Sequence, residues 1–189
     1  IPRKREDFYK MGKNIVVITG SPRKGGNSDL LCDQFAKGAE EAGHQVEKVR
    51  VQEKKIAPCL ACYGCRGTGV CVQKDDMTDV RAKIMASEVI VFVTPNYFCG
   101  MTAQLKTVID RFYSFSSNLK TRNMKAILIS ASADKADWTT DALRVQFDSM
   151  CRYLNMQDAG RIMAVGCSSA DQTKVSRFMD EAYDLGKSL

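Results

Sequence analysis

The chain has 189 residues, 44% of them hydrophobic and 26% charged, which fits one globular domain with a sizeable core. Its apolar runs are short, the longest of the type Val89-Ile90-Val91-Phe92-Val93, far below the roughly 20 residues of a membrane span. With no apolar secretory core at the amino end, the expected location is the cytoplasm.

The formal net charge is +6, and Arg3, Lys4, Arg5, Lys10 and Lys13 against Glu6 and Asp7 concentrate it at the amino end. The body of the chain lacks the basic stripe with interleaved aromatics of a nucleic-acid surface, so neither nucleic acid nor membrane is expected as a partner. Residues 1–12 read as a basic arm: either a remnant ahead of a start at Met11 or a segment that packs on a partner subunit.

From Asn14 onward, apolar β-rich runs alternate with helical patterns. The runs are Ile15 to Ile18, Gln45 to Val51, Val89 to Val93, Ala126 to Ile129 and Arg161 to Val165. Residues 28–42, 101–117, 138–154 and 171–187 carry apolar positions at helical spacing, as in Leu105, Val108, Ile109, Phe112 and Phe115. A shorter helix is expected over Thr78 to Met85. Strict alternation of five strands and five helices predicts an α/β fold, a doubly wound five-stranded parallel sheet over 13–189 with a cysteine-rich insertion at 56–76. Such sheets take ligands outside the carboxyl ends of the strands, where strand order reverses. For the order 2-1-3-4-5 that point lies between strands one and three.

Gly20-Ser21-Pro22-Arg23-Lys24-Gly25-Gly26-Asn27-Ser28 follows the first strand. Glycines admit an anion close to the backbone, Ser and Asn side chains donate, and the next helix presents free N–H groups. Ser28 or Asn27 is a candidate N-cap. The loop is neither a Walker loop nor Gly-x-Gly-x-x-Gly. Gly20-Ser21-Pro22-Arg23 followed by Gly26-Asn27-Ser28 resembles the FMN phosphate loop of the NAD(P)H-dependent flavin reductase family, within the flavodoxin-like superfamily. By that resemblance Ser21, Arg23, Asn27 and Ser28 hold the ribityl phosphate.

The loop after strand three extends the likeness. Pro95-Asn96-Tyr97-Phe98-Cys99 precedes Gln104-Leu105-Lys106 and Asp110-Arg111, similar to that family's Pro-x-Tyr turn and helix. The resemblance implies that Pro95, Asn96, Tyr97, Phe98 and Cys99 contact the flavin through backbone amides and ring packing. Asp110 and Arg111 are expected to be structural or to sit at a subunit interface. A third contact loop is expected at Ser130 to Asp134, where Ser130 and Ser132 can donate to the ring, although the family often has glycine there. Trp138 either shields the site, anchors an interface or is simply buried at a helix start.

Cys59-x2-Cys62-x2-Cys65-x5-Cys71 gathers four of the eight cysteines into thirteen residues. Thiolates so spaced can converge on one centre, with Gly64, Gly67 and Gly69 allowing a tight path. Three readings stay open: an iron–sulfur cluster, a four-cysteine zinc site, or thiols without metal. Together with the phosphate loop, the run resembles the iron–sulfur flavoproteins of anaerobes, which implies a [4Fe–4S] cluster on Cys59, Cys62, Cys65 and Cys71 beside FMN.

His44 is the single histidine and lies away from the ligand end, so no imidazole base is expected. The resemblance implies an FMN-dependent oxidoreductase fed by NAD(P)H, with no catalytic side chain because the flavin carries the chemistry. Its acceptor would be a small molecule such as a quinone or flavin, or a protein. The alternatives are an electron carrier relaying between FMN and a cluster, and a zinc-stabilised module for another phosphate ligand. Relatives also imply a homodimer or tetramer.

Overall fold

In the computed structural model residues 12–189 are described; the basic arm expected over residues 1–12 falls outside them but for its last residue. The strands are β1 (Asn14–Thr19), β2 (Gln45–Arg50), β3 (Val89–Pro95), β4 (Lys125–Ala131) and β5 (Gln157–Ala164). They form one parallel sheet in the order β2-β1-β3-β4-β5, the flavodoxin-like order. β1, β3 and β4 are apolar on both faces because helices cover both.

Alternate residues of each strand feed two cores. Ile15 and Val17 point into one, with Leu31 and Phe35 of α1 (Asn27–Glu41) and Phe178 and Ala182 of α7 (Phe178–Lys187). Val16 and Ile18 point into the other, against α2 (Met77–Ala86), α3 (Ala103–Arg111), α4 (Ser116–Lys120) and α5 (Asp141–Leu154). The helix α6 (Ala170–Lys174) also meets α1. On the first face α1 and α7 touch backbone to backbone: a Cβ on Gly38 would stand 2.1 Å from the Tyr183 carbonyl oxygen, and one on Gly186 2.1 Å from that of Phe35.

Three elements depart from the sequence expectation. The helix expected over 101–117 is α3, a 3-10 turn at Phe112–Phe115 and then α4. The one expected over 171–187 breaks between α6 and α7, where the Thr173 and Ser176 hydroxyls donate to backbone carbonyls four and three residues back, respectively. β5 begins four residues earlier than expected, at Gln157, because a bulge sets Ala159 and Gly160 opposite Ile127 and interrupts the apolar pattern. Among the described residues no helix is long and apolar enough to cross a membrane.

Candidate functional site

The carboxyl ends of β1 and β3 lie side by side, with the Gly20 N–H donating to the Val93 carbonyl at 2.8 Å. Thr102, the N-cap of α3, donates its hydroxyl to the Gly20 carbonyl at 2.8 Å. The approach demands glycine, since a Cβ on Gly20 would stand 2.5 Å from Leu105 Cβ. Ser21 shapes the next turn by donating to the Arg23 carbonyl and accepting from its N–H. Gly25 follows at φ +69°, a conformation costly for residues with a Cβ.

Asp29, buried in the first turn of α1, fixes this loop from beneath. Its carboxylate accepts from the Thr19 hydroxyl at 3.1 Å and the Gly25 N–H at 3.0 Å, and pairs with the Arg50 guanidinium of β2. Arg50 in turn donates to the Arg23 carbonyl. The loop is therefore braced with its side chains already placed, and the Arg23 side chain is exposed. The cap of α1 is Gly26 rather than Asn27 or Ser28, and it makes no side-chain bond. This leaves both side chains for other partners. Asn27 donates to the Cys167 carbonyl, and Ser28, 1% exposed, has a hydroxyl without a partner.

After β3 the chain makes a two-residue reversal. The Tyr97 N–H donates to the Gly100 carbonyl at 2.9 Å and the Gly100 N–H to the Tyr97 carbonyl at 3.0 Å. Between them Phe98 and Cys99 stand at φ +46° and +60°, where such turns favour Asn and Gly. Each left-handed residue costs about 1–2 kcal/mol. The result is a Phe98 ring that is fully exposed, at 108%. Asn96 is anchored below it, donating its side-chain amide to the Thr139 carbonyl at 2.9 Å. The neighbouring Trp138 is 66% exposed, so it is not buried at a helix start.

These loops border one cavity of about 630 Å³. Ser21, Arg23, Asn27 and Ser28 line one side, and Pro95, Asn96, Tyr97 and Phe98 another. Cys99 lies in the turn but outside the lining. Ser130 and Ser132 are buried, and it is Ala131 and Ala133 that face the cavity, as the alternation of a strand requires. A fourth wall escaped the sequence reading: Cys167 to Ala170, between β5 and α6. Its one sequence signal was Ser168-Ser169 ahead of a helix, and Ser169 does cap α6. No lining residue is acidic. A cavity of this size with a braced donor loop, an unpartnered buried hydroxyl and an aromatic lip fits a phosphorylated planar ligand such as FMN.

The cysteine segment is held by a clamp. Arg111, at the end of α3 and 1% exposed, donates to the Ala57 carbonyl at 2.8 Å and to both carboxylate oxygens of Asp75 at 2.6 and 3.0 Å. Asp75 also accepts from the N–H groups of Ala57 and Met77. Burial opposes ionisation of Asp75, but these hydrogen bonds outweigh it and hold its carboxyl below the ordinary range. Asp110, by contrast, is exposed and pairs with Lys106. Arg111 is thus the structural member of the pair.

Cys59, Cys62, Cys65 and Cys71 border one small cavity of about 20 Å³ beside Arg111, and all four are free thiols. As arranged, no three His, Cys, Asp or Glu side chains among the described residues converge to hold a metal. The donor set matches a four-sulfur centre in number and chemistry, whereas the space does not yet accommodate one. Burial pushes the Cys32 thiol up to about 12 and Cys151 up to about 11, which leaves them inert. The cysteine cavity meets the far end of α3 from the one that touches the Gly20 loop. A helix of nine residues is about 13 Å long, so within one chain the two sites are neighbours in the fold without sharing a wall.

A parallel sheet in this order, with a braced anion loop at its switch point and an aromatic lip opposite, is the architecture of flavin reductases. The family model for NADPH-dependent FMN reductase matches residues 13–168, and the chain belongs to that family. It is 38% identical over 124 residues to an iron-sulfur flavoprotein of Archaeoglobus fulgidus, covering 65% of this chain and 56% of the relative. The chain thus spans little more than half the length of that relative. A Bacillus subtilis protein, named as an NAD(P)H-dependent FMN-containing oxidoreductase, is 26% identical over 182 residues, 92% of this chain and 96% of its own. Among solved structures, the NAD(P)H:quinone oxidoreductase of Methanothermobacter marburgensis superposes with a TM-score of 0.72 at 14% identity, covering 93% of this chain and 96% of that one.

Proposed function

We propose that the chain binds FMN in the cavity at the β1–β3 switch point and works as an NAD(P)H-dependent FMN oxidoreductase, passing electrons to a small-molecule or protein acceptor. The observation that carries this reading is the Ser28 hydroxyl, buried in the cavity wall without a partner, within a loop whose family uses FMN. FMN supplies the hydride and electron chemistry. The protein's part is binding and orientation. Asn27 and Ser28 donate to the phosphate, Ser21 keeps the turn that presents them through its bonds to Arg23, and Arg23 offsets the charge, while Pro95 to Phe98 wall the ring and keep water from one edge. No side chain is required as acid or base. His44 is consistent with this, since its Nδ1 accepts from the Lys13 N–H just ahead of β1, at the amino edge of the sheet.

Replacing Ser28 with Phe fills the phosphate position without touching the Asp29 brace. FMN affinity, read by flavin fluorescence quenching, is expected to fall at least about tenfold, or 1.4 kcal/mol. Steady-state NAD(P)H oxidation by FMN-loaded protein tests the enzymatic step, and absence of turnover with quinone, flavin and oxygen alike would leave an electron carrier. The exposed rings of Tyr97, Phe98 and Trp138 support an assembly in which a second copy covers the cavity mouth, a homodimer or a tetramer of dimers.

A second reading is favoured by the four cysteines around one cavity and by the Archaeoglobus relative. Here Cys59, Cys62, Cys65 and Cys71 would draw together from their present arrangement to hold a [4Fe–4S] cluster, which would supply one-electron transfer. Protein purified without oxygen is expected to contain iron and sulfide in equal amounts and to show a broad brown absorption over the flavin bands. Cys71→Ser should abolish the iron and keep the flavin. A yellow protein free of iron and sulfide would refute this reading and leave the first intact.

A further inference from the structure

Next to the cysteine segment the chain forms a second cleft, of about 550 Å³, with no role in the function proposed above. Its walls are the 65–69 loop, the 113–120 stretch and Tyr153 of α5. Two cations border it, Arg66 and Lys120, and no carboxylate lines it. Neither cation has an ion-pair partner among the described residues; each lies instead on an aromatic ring. The Arg66 guanidinium carbon is 3.7 Å from the centre of the Tyr63 ring, and Lys120 Nζ is 3.8 Å from that of Tyr153. A ring face holds a long cationic side chain in place and leaves it N–H donors to spare. Both cations are therefore positioned and still able to bind an anion. Ser117 adds a hydroxyl, and Tyr113, 47% exposed, offers a planar apolar wall.

Two positioned cations with no competing carboxylate define a site for phosphate, and a flat aromatic wall suits a planar ring. The volume lies within the range of about 300–1,000 Å³ for small-ligand sites. We propose that this cleft binds a nucleotide, with its phosphates on Arg66 and Lys120 and its base against Tyr113. Cys65 borders both this cleft and the cysteine cavity. An occupant would thus lie against the loop between Cys65 and Cys71.

Calorimetric titration of FMN-saturated protein with ADP, adenosine and inorganic pyrophosphate tests the assignment. ADP is expected to bind, with adenosine and pyrophosphate each weaker by about tenfold or more, or 1.4 kcal/mol. The Arg66→Ala/Lys120→Ala double variant should lose ADP binding by at least the same factor. Both residues are at the surface and outside the flavin site, so FMN affinity and NAD(P)H oxidation should be unchanged. The proposal is overturned if ADP gives no heat, or if the double variant binds it equally well, which would place ADP outside this cleft. Adenosine as tight as ADP would remove the phosphate role, and pyrophosphate as tight as ADP would remove the base; either result also defeats it.

Discussion

Arg111→Met is expected to destabilise the protein by about 3–5 kcal/mol, because it leaves the Asp75 carboxylate sequestered without its cation. In a chain of this size that lowers the midpoint of thermal unfolding by roughly 6–20 °C. The same change frees both ends of the cysteine segment, since Arg111 joins Ala57 on its entering side to Asp75 on its leaving side. Alkylation of Cys65 and Cys71, the two half-buried thiols of the segment, mapped by mass spectrometry, should therefore speed up, while the fluorescence-measured affinity for FMN stays close to that of the parent. Unchanged alkylation would mean that the segment keeps its path without the clamp. Adding Asp75→Asn to Arg111→Met should recover part of the loss, because no buried charge then lacks a partner. The pair also sets an acid limit. Asp75 has a folded pKa below its ordinary value, so its contribution is fully present above the ordinary carboxylate range, near about 4. It is lost as pH falls from there through the folded value. Acid unfolding of the parent should be steeper below about pH 4 than that of the double variant.

Asp29→Ala should affect the other site as strongly. The carboxylate is 1% exposed as a residue and serves Thr19, Gly25 and Arg50 at once. Its removal leaves the exposed Glu53 as the one carboxylate on the Arg50 guanidinium among the described residues and releases the Gly25 turn. About 3 kcal/mol of stability is expected to go, read by urea unfolding of the flavin-free protein. FMN affinity should fall by about tenfold or more, or 1.4 kcal/mol, without any loss of a ligand contact, because Asp29 touches none of the cavity. Asp29→Asn, which keeps an oxygen for the Gly25 N–H, should recover most of the affinity and less of the stability. An alanine variant that binds FMN normally would show that the loop holds its shape unaided.

The contrast between these residues and those read from the sequence explains what was legible. The strands of the sheet centre were, since Val89 to Val93 must be apolar on both faces when helices cover both. So was the loop at Gly20 to Ser28, because its glycines and hydroxyls are contiguous. Asp29 and Arg50 were not: a buried charge reveals itself only through a partner on another element, here 21 residues away. Arg111 was expected to be structural, but its partner Asp75, 36 residues away, was not legible for the same reason. The wall at Cys167 to Ala170 was missed because small residues reach the cavity through the closure of β5 beside β4. Apolar periodicity gave the 101–117 helix as one stripe, and it is one stripe of buried side chains, but the backbone tightens at Phe112 to carry it.

The backbone contact of α1 with α7 has a consequence for the order in which the site can come into being. The helix that presents the anion loop leans on one whose first residue follows its own last by 137 positions, from Glu41 to Phe178. At about 5–20 residues per second, roughly 7–27 s of synthesis separate the two. Until α7 emerges, the side of α1 at Gly38, which lies against the Tyr183 backbone, is uncovered, and Phe35 packs on the sheet alone. The nascent loop can be complete in sequence long before it is rigid, which makes the emergence of α7, more than flavin supply, the earliest moment at which the flavin pocket gains its full support.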